Sequence, residues 1–246
     1  MNYTALAEAI ARWMRDYAAR AGAKGYVLGL SGGVDSAVTA ALAARAVGAA
    51  HVRVAWLPCH SLPEDEDYAR MTAQALGLDL LTVDLSATFD TLIAALPSGN
   101  AMASANVKPR LRMTVLYYLA QSHDYLVAGT GNKPEMMVGY FTKYGDGGVD
   151  IEPLGELYKH EVRALARVLG VPEPVIARAP SAGLWPGQTD EGELGITYAE
   201  LDAILEAITE GRDPNAPEAT VARVRRMIAA SAHKRAMPPT FHVERT

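Results

Sequence analysis

The stretch Ser31-Gly32-Gly33-Val34-Asp35-Ser36 sets two glycines, two hydroxyls and a carboxylate between the apolar run GYVLGL (25–30) and a helical pattern starting at Asp35. Glycines at such a turn leave backbone N–H groups uncovered, and the helix start that follows adds its positive end. The combination suits a bound anion. The spacing is neither GxxxxGK[ST] nor GxGxxG, so the two best-known phosphate turns are excluded. A tight turn with an N-cap is the plainer reading of the same residues.

The elements that must hold this turn alternate in type. GYVLGL is followed by a helix over 35–47, HVRVAWL (51–57) by a helix from about 64 to 76, and LDLLTVDL (78–85) by a helix over 86–95. A further helix over 106–122 precedes DYLVAGT (124–130). Strands alternating with crossover helices predict an α/β chain, a doubly wound parallel sheet with helices on both faces. The acidic run 64–67 reads as a helix start, and Gly77 as its left-handed C-terminal cap. Residues 130–155 are glycine-rich and lack periodicity; helices resume over 156–169, 198–210 and about 216–233. Between them, APSAGLWPGQTDEGELG (179–195) is long and irregular, and with Leu184 and Trp185 it reads as a mobile functional loop. No repeat or linker divides residues 1–246, which read as one domain.

Composition narrows the partners. The 246 residues carry 23 Lys plus Arg against 28 Asp plus Glu, a balance of −5. That argues against a nucleic acid or an anionic membrane as the main partner. The lone Cys59 leaves no disulfide framework and no CxxC metal site, and reads as an inert small hydrophobe. The N-terminal segment reads as an amphipathic helix rather than a signal peptide. The most apolar window, Ala37 to Ala50, is interrupted by Arg45 and too short to span a bilayer. Cytoplasm is the expected compartment.

SGGVDS resembles the SGGxDS loop of the pyrophosphate-loop ATPases, which cleave ATP between its α and β phosphates. The segments 129–172 and 180–205, with NVKPRLRM (106–113) and His233-Lys234-Arg235, resemble the ammonia-dependent NAD synthetases over nearly the whole chain. The resemblance implies an adenine nucleotide alpha hydrolase-like fold, a homodimer, and ATP-dependent conversion of deamido-NAD to NAD. ATP would adenylate the nicotinate carboxylate, pyrophosphate would leave, and ammonia would displace AMP.

Site residues follow from that resemblance. Gly29, Leu30, Ser31, Gly32, Gly33, Val34, Asp35 and Ser36 would hold ATP together with Thr130, Lys159 and Ser181. Asp35 and Glu135 would bind Mg²⁺, a hard ion suited to carboxylates. Arg110, Tyr140, Lys143, Asp150, His233 and Lys234 would hold deamido-NAD, Tyr140 offering a ring face to the cationic pyridinium. Lys159 and Asp146 would be catalytic, Asp146 handling ammonia. Rival readings are solvated surface charges for Arg110, Lys143 and Lys159, a helix C-terminus for 233–235, and a turn aspartate for Asp146.

Pro109 departs from the family's usual Lys-Ala-Arg and would alter how Arg110 is presented. GTGNKPE differs from the GTDHAAE seen in some members, and Ser181 replaces a threonine. Other functions in contention are a pyrophosphate-loop synthetase subunit served by a separate glutaminase, a tRNA-modifying enzyme, and a non-catalytic nucleotide-binding module. The chain length leaves little room for an appended glutaminase, so ammonium is the expected donor.

Overall fold

The computed structural model describes residues 1–181, 183–185 and 187–243. Helix α1 (Tyr3–Arg20) begins at Asn2, whose side chain accepts the N–H of Ala5 at 3.1 Å. Its buried residues Ala7, Ala11, Met14 and Ala18 recur at three- and four-residue spacing, one apolar stripe against the core. The chain then runs through β1 (Gly25–Gly29), α2 (Val34–Val47), β2 (Val52–Trp56), α3 (Pro63–Leu76) and β3 (Leu80–Thr82). Helices α4 (Ser86–Ala95), α5 (Ala101–Ala105) and α6 (Val107–His123) lead into β4 (Tyr125–Val127). Strand order is β3-β2-β1-β4, and every pairing is parallel. The expected parallel α/β sheet is present. Its chain moves outward from β1 to β3, then returns to pair β4 on the far side of β1. The reversal lies between β1 and β4, where open sheets of this kind bind ligands at the carboxyl ends of their strands.

Beyond β4 come α7 (Lys133–Val138), α8 (Lys159–Val168), α9 (Glu173–Ala177), α10 (Asp190–Leu194), α11 (Tyr198–Thr209) and α12 (Glu218–Ala230). One core lies between the sheet and α1, α2 and α8; a second gathers Val138, Leu194, Tyr198, Leu201, Leu205 and Val224 from α7, α10, α11 and α12. Tyr158 belongs to the second core and Leu157 to the first, so the start of α8 is fixed by both. Each fully buried leucine there contributes about 1.5–3 kcal/mol.

The structure corrects several sequence boundaries. The third strand spans only Leu80–Thr82 rather than 78–85, and half-exposed Leu81 marks a sheet edge. Helix α8 starts at Lys159, three residues late, because backbone bonds from Gly155 to Glu152 and from Leu157 to Leu154 hold the preceding chain in turns. The aperiodic 130–155 contains α7, and the irregular 179–195 ends in α10. Both are too short for a period to show. Cys59 is fully buried, and burial pushes its thiol pKa up. Among the described residues no helix is long and apolar enough to cross a membrane.

Candidate active site

A cleft of about 550 Å³ opens at the reversal point, lined by Gly29 to Ser31, Gly33 to Ser36, Thr130, Glu135, Tyr140, Asp146, Lys159, Ser181 and Lys234, among others. Strand β1 delivers the glycine turn: Leu30 N–H donates to the Ala55 carbonyl at 2.9 Å, the last sheet-like bond before Ser31. Ser36, in the first turn of α2, then pins the loop from inside. Its hydroxyl accepts Ser31 N–H at 3.2 Å and donates to the Gly33 carbonyl at 3.0 Å. Gly33 is the N-cap of α2 and has no side chain to cover the first-turn N–H groups. Those donors and the helix dipole are what an anion would use. Gly32 is required twice over. Its φ is 81°, and a Cβ there would fall 2.6 Å from the Asp65 carbonyl oxygen.

Opposite the loop, Lys159 joins two carboxylates. Its Nζ donates to Asp35 Oδ2 at 2.6 Å and to Glu135 Oε1 at 3.3 Å, with the side chain 2% exposed. Burial works against the ammonium, but Asp35 and Glu135 outweigh it and hold its pKa above the ordinary lysine range. Burial also pushes Glu135 up, to about 7, although Lys159 draws it back. Glu135 is simultaneously the capping residue of α7: its carboxylate accepts Asn132 N–H at 3.3 Å, and Asn132 Oδ1 accepts Glu135 N–H at 3.1 Å. The helix-start reading and the ligand reading of Glu135 are therefore compatible.

Two carboxylates that share one cation supply hard oxygen donors of the kind Mg²⁺ takes. No cluster of three or more His, Cys, Asp or Glu able to hold a metal occurs among the described residues. A carboxylate pair completed by substrate phosphates fits Mg²⁺, which favours such mixed shells over all-protein cages.

Several residues in this centre carried no clear sequence signal. Asn132, fully buried, donates from Nδ2 to Asp35 Oδ1 at 2.9 Å and so fixes the carboxylate. Asp202 of α11 accepts the N–H of His160 at 3.1 Å and of Lys159 at 3.4 Å, anchoring the first turn of α8 and with it the lysine. The Tyr198 hydroxyl lies 2.9 Å from Glu135 and 3.1 Å from Asp190. Tyr140 in turn lies 3.2 Å from Asp190 and 2.5 Å from Glu193, so its ring faces the cleft while its hydroxyl is tied to α10. Burial raises the carboxyl of Asp190. Each of these groups meets its partners across more than forty residues of sequence, or through an irregular turn.

Asp146 lines the same cleft. Its carboxylate accepts Thr142 N–H at 2.9 Å, the contact of a turn aspartate. The residue is exposed to the cleft, whose walls stand around its carboxyl. Desolvation raises its pKa. Ser181 also lines the cleft, donating to the Gln188 carbonyl at 2.8 Å. Lys234 reaches it too, held by the carbonyls of Gly139 and Phe141 at 2.8 Å each.

The other expected substrate residues are not gathered into the cleft of this one chain. Arg110 bonds the carbonyls of Asn106 and Lys143 on the outer side of α6. Lys143 is turned to the His233 carbonyl at 2.6 Å. Asp150 is used internally: it accepts Val127 N–H at 2.7 Å and the Tyr117 hydroxyl at 3.1 Å, clamping β4. Pro109 falls in the first turn of α6, where a missing N–H breaks no helical bond, so the departure there leaves the helix intact. Lys133 lies over the Tyr158 ring, 4.9 Å from its centroid, rather than in the cleft.

Glu152 has a stability role. Its carboxylate packs under the Gly129–Thr130–Gly131 turn, accepting Gly131 N–H at 3.0 Å, and a Cβ on Gly129 would strike it at 2.3 Å. Burial pushes this carboxyl up to about 8 despite the Gly131 bond. A carboxyl raised on folding contributes stability below its unfolded value, and that contribution is lost as pH rises through the folded value. Glu152→Gln keeps an acceptor for Gly131 and removes the titration. The variant should therefore gain stability over the parent at pH 8–9, on the order of 2–3 kcal/mol, and lose the advantage near pH 5. Urea unfolding at the two pH values measures it; an equal difference at both refutes the buried-carboxyl account.

The NAD synthase family model matches residues 6–238. The chain belongs to the NAD synthase family. An NH(3)-dependent NAD(+) synthetase of Archaeoglobus fulgidus is 46% identical over 245 residues, which span 99% of this chain and 98% of that relative. Among solved structures, an NMN synthetase from Francisella tularensis superimposes with a TM-score of 0.91 at 33% identity, covering 99% of this chain and 100% of its own. An NH3-dependent NAD synthetase from Campylobacter jejuni gives 0.85 at 27% identity, over 98% and 100%. The family's fold is the adenine nucleotide alpha hydrolase-like one, in agreement with the sheet order and the position of the cleft.

Proposed function

We propose that the chain converts deamido-NAD to NAD, using ATP to adenylate the nicotinate carboxylate and ammonia to displace AMP. The observation that carries this reading is the meeting of the Ser31–Ser36 loop with Asp35, Glu135 and Lys159 in one cleft at the sheet's reversal point. Pyrophosphate is a leaving group whose charge grows on the β-phosphate as the carboxylate attacks the α-phosphorus. Fixed N–H dipoles of the loop and the α2 start stabilise that charge without reorganising. Lys159, buried and positively charged, serves the same end, with Thr130 and Ser181 as further donors. Asp35 and Glu135 would hold Mg²⁺, which when bound neutralises phosphate charge. Tyr140, whose hydroxyl is fixed by α10, offers its ring to the nicotinate, and Lys234 stands beside it.

A homodimer completes the proposal. Helix α4 has an apolar sequence yet buries no residue, and Leu92, Leu96, Met102 and Tyr118 lie exposed on α4, α5, α6 and their connections. Arg110 shares the outer side of α6 with Tyr118. Sedimentation velocity should give a species of twice the chain mass; a monomer at micromolar concentration refutes this part.

The activity is tested by product analysis with ATP and Mg²⁺. Ammonium with deamido-NAD should yield NAD, AMP and pyrophosphate in equal amounts, and glutamine in ammonia-free buffer should yield none. Equal NAD from glutamine would overturn the donor assignment. Nicotinate mononucleotide is the informative second substrate, because the structural relative from Francisella tularensis is an NMN synthetase. Faster amidation of the mononucleotide than of deamido-NAD would reassign the substrate while leaving the adenylation chemistry in place.

A further inference from the structure

Arg178, just past α9, stands behind the glycine loop in a setting that a structural ion pair does not explain. Its Nη2 donates to Asp65 Oδ1, and its guanidinium lies over the Tyr68 ring, 4.5 Å from the centroid. The two charged side chains are only 19% and 13% exposed. Pairing charges at such depth gains little over apolar packing, because both must be desolvated. A guanidinium carries five N–H donors in a planar fork. Among the described residues the Arg178 side chain uses one of its nitrogens, for Asp65.

The remaining donors face the loop. A Cβ built on Gly32 would come within 3.0 Å of Arg178 Nη1, so this nitrogen lies against the turn itself. No fully enclosed side-chain nitrogen or oxygen among the described residues lacks a partner, so the spare donors have access to solvent. Arg178 lines the cleft together with Ser31, Gly33 and Ser181.

The charge balance points the same way. At the loop end of the cleft, the carboxylates of Asp35, Glu135 and Asp190 face a single ammonium, that of Lys159, already shared between two of them. A Mg²⁺ held by Asp35 and Glu135 would, with Lys159, do no more than offset these carboxylates, so a triphosphate entering such a place gains from a further cation. We infer that Arg178 is a phosphate-binding residue, donating through its free guanidinium edge to the β- and γ-phosphate oxygens, with Asp65 as a carboxylate that competes with phosphate for it. The inference rests on the reading of the Ser31–Ser36 loop as the phosphate site. Arginine suits the task because its rigid fork matches phosphate oxygens two at a time.

The proposal separates from a merely structural pin through the two partners. A pin between α3 and α9 is lost equally from either end. A phosphate ligand is lost only with the arginine. Asp65→Asn keeps an acceptor for the Leu62 N–H that Oδ2 now takes, while removing the charge that competes with phosphate. Calorimetric titration with inorganic pyrophosphate, alongside deamido-NAD binding and the KM for ATP, makes the comparison. Arg178→Gln should weaken pyrophosphate about 10- to 100-fold, the range for a charged hydrogen-bonding pair, and leave deamido-NAD binding within twofold. Asp65→Asn should bind pyrophosphate as well as the parent or better. Arg178→Lys, which retains the charge without the fork, should fall between, and it serves in place of Arg178→Gln if that variant does not fold. Parent-like pyrophosphate affinity in Arg178→Gln, or in Arg178→Lys as its substitute, overturns the proposal, and so does an equal loss in Asp65→Asn. Failure of the parent chain itself to bind pyrophosphate overturns the phosphate reading of the loop, and this inference with it.

Discussion

Asp35→Ala and Glu135→Ala will each slow pyrophosphate release from ATP and deamido-NAD by about 10³-fold or more, measured with ammonia omitted so that only adenylation is read. Both carboxylates face one cation, Lys159, at 2.6 and 3.3 Å. Removing either takes away half of the pair proposed to hold Mg²⁺ against the phosphates. It also leaves Lys159, a buried ammonium, with one carboxylate in place of two, which lowers stability as well. A control must therefore separate folding from chemistry. Asp35→Asn retains one acceptor oxygen, for Lys159, and gives up the Asn132 bond, and Glu135→Gln retains one for the Asn132 N–H in the α7 cap. These variants should melt close to the parent and still fail to release pyrophosphate. The two substitutions should leave deamido-NAD binding within a few-fold, since neither residue is placed at the nicotinate. Near-normal pyrophosphate release in both alanine variants would remove the metal assignment.

The division between what the sequence disclosed and what it did not follows the range of the interactions. The glycine turn was legible because its function is local: Ser31, Gly33 and Ser36 bond to one another within six residues. The helices of the sheet layer were legible because their burial imposes a period: α3 buries Asp65, Ala69, Thr72 and Ala73 and was found at Pro63–Leu76 against the expected 64 to 76. Helices α7 and α10, of six and five residues, are shorter than two turns and leave no such pattern. Asp202, Asn132 and Arg178 act on Lys159, Asp35 and the loop from 43, 97 and more than 140 positions away. No spacing rule reaches that far. The residues expected at deamido-NAD divide along the same line. Tyr140 and Lys234 line the cleft, held there by α10 and by carbonyls just after α7. Arg110, Lys143, His233 and Asp150 spend their polar groups elsewhere in this chain.

The second large effect concerns ammonia. Ammonium dominates at neutral pH, but only neutral NH₃ has the lone pair that attacks an adenylated carbonyl, so a proton must be taken up near the acyl carbon. Asp146 is suited to that role by position and by environment. It lines the cleft with Tyr140 and Lys234, and desolvation raises its carboxyl pKa, making it a better proton acceptor than a solvated aspartate. Its bond from Thr142 N–H fixes the direction of one oxygen and leaves the other for ammonium. Asp146→Asn preserves the Thr142 contact, because the amide oxygen can accept the same N–H. Pyrophosphate release should therefore stay within a few-fold of the parent, while NAD formation at neutral pH falls about 100-fold. Acyl-adenylate should accumulate and be trapped on rapid quenching. The pH dependence carries a sign. A base works only when deprotonated, so the parent loses rate as pH falls through the raised value of Asp146, and the gap between parent and variant narrows there. Raising pH or total ammonium supplies NH₃ directly and should restore much of the variant's rate. Normal turnover of Asp146→Asn with ammonium at neutral pH would assign the residue to the turn alone.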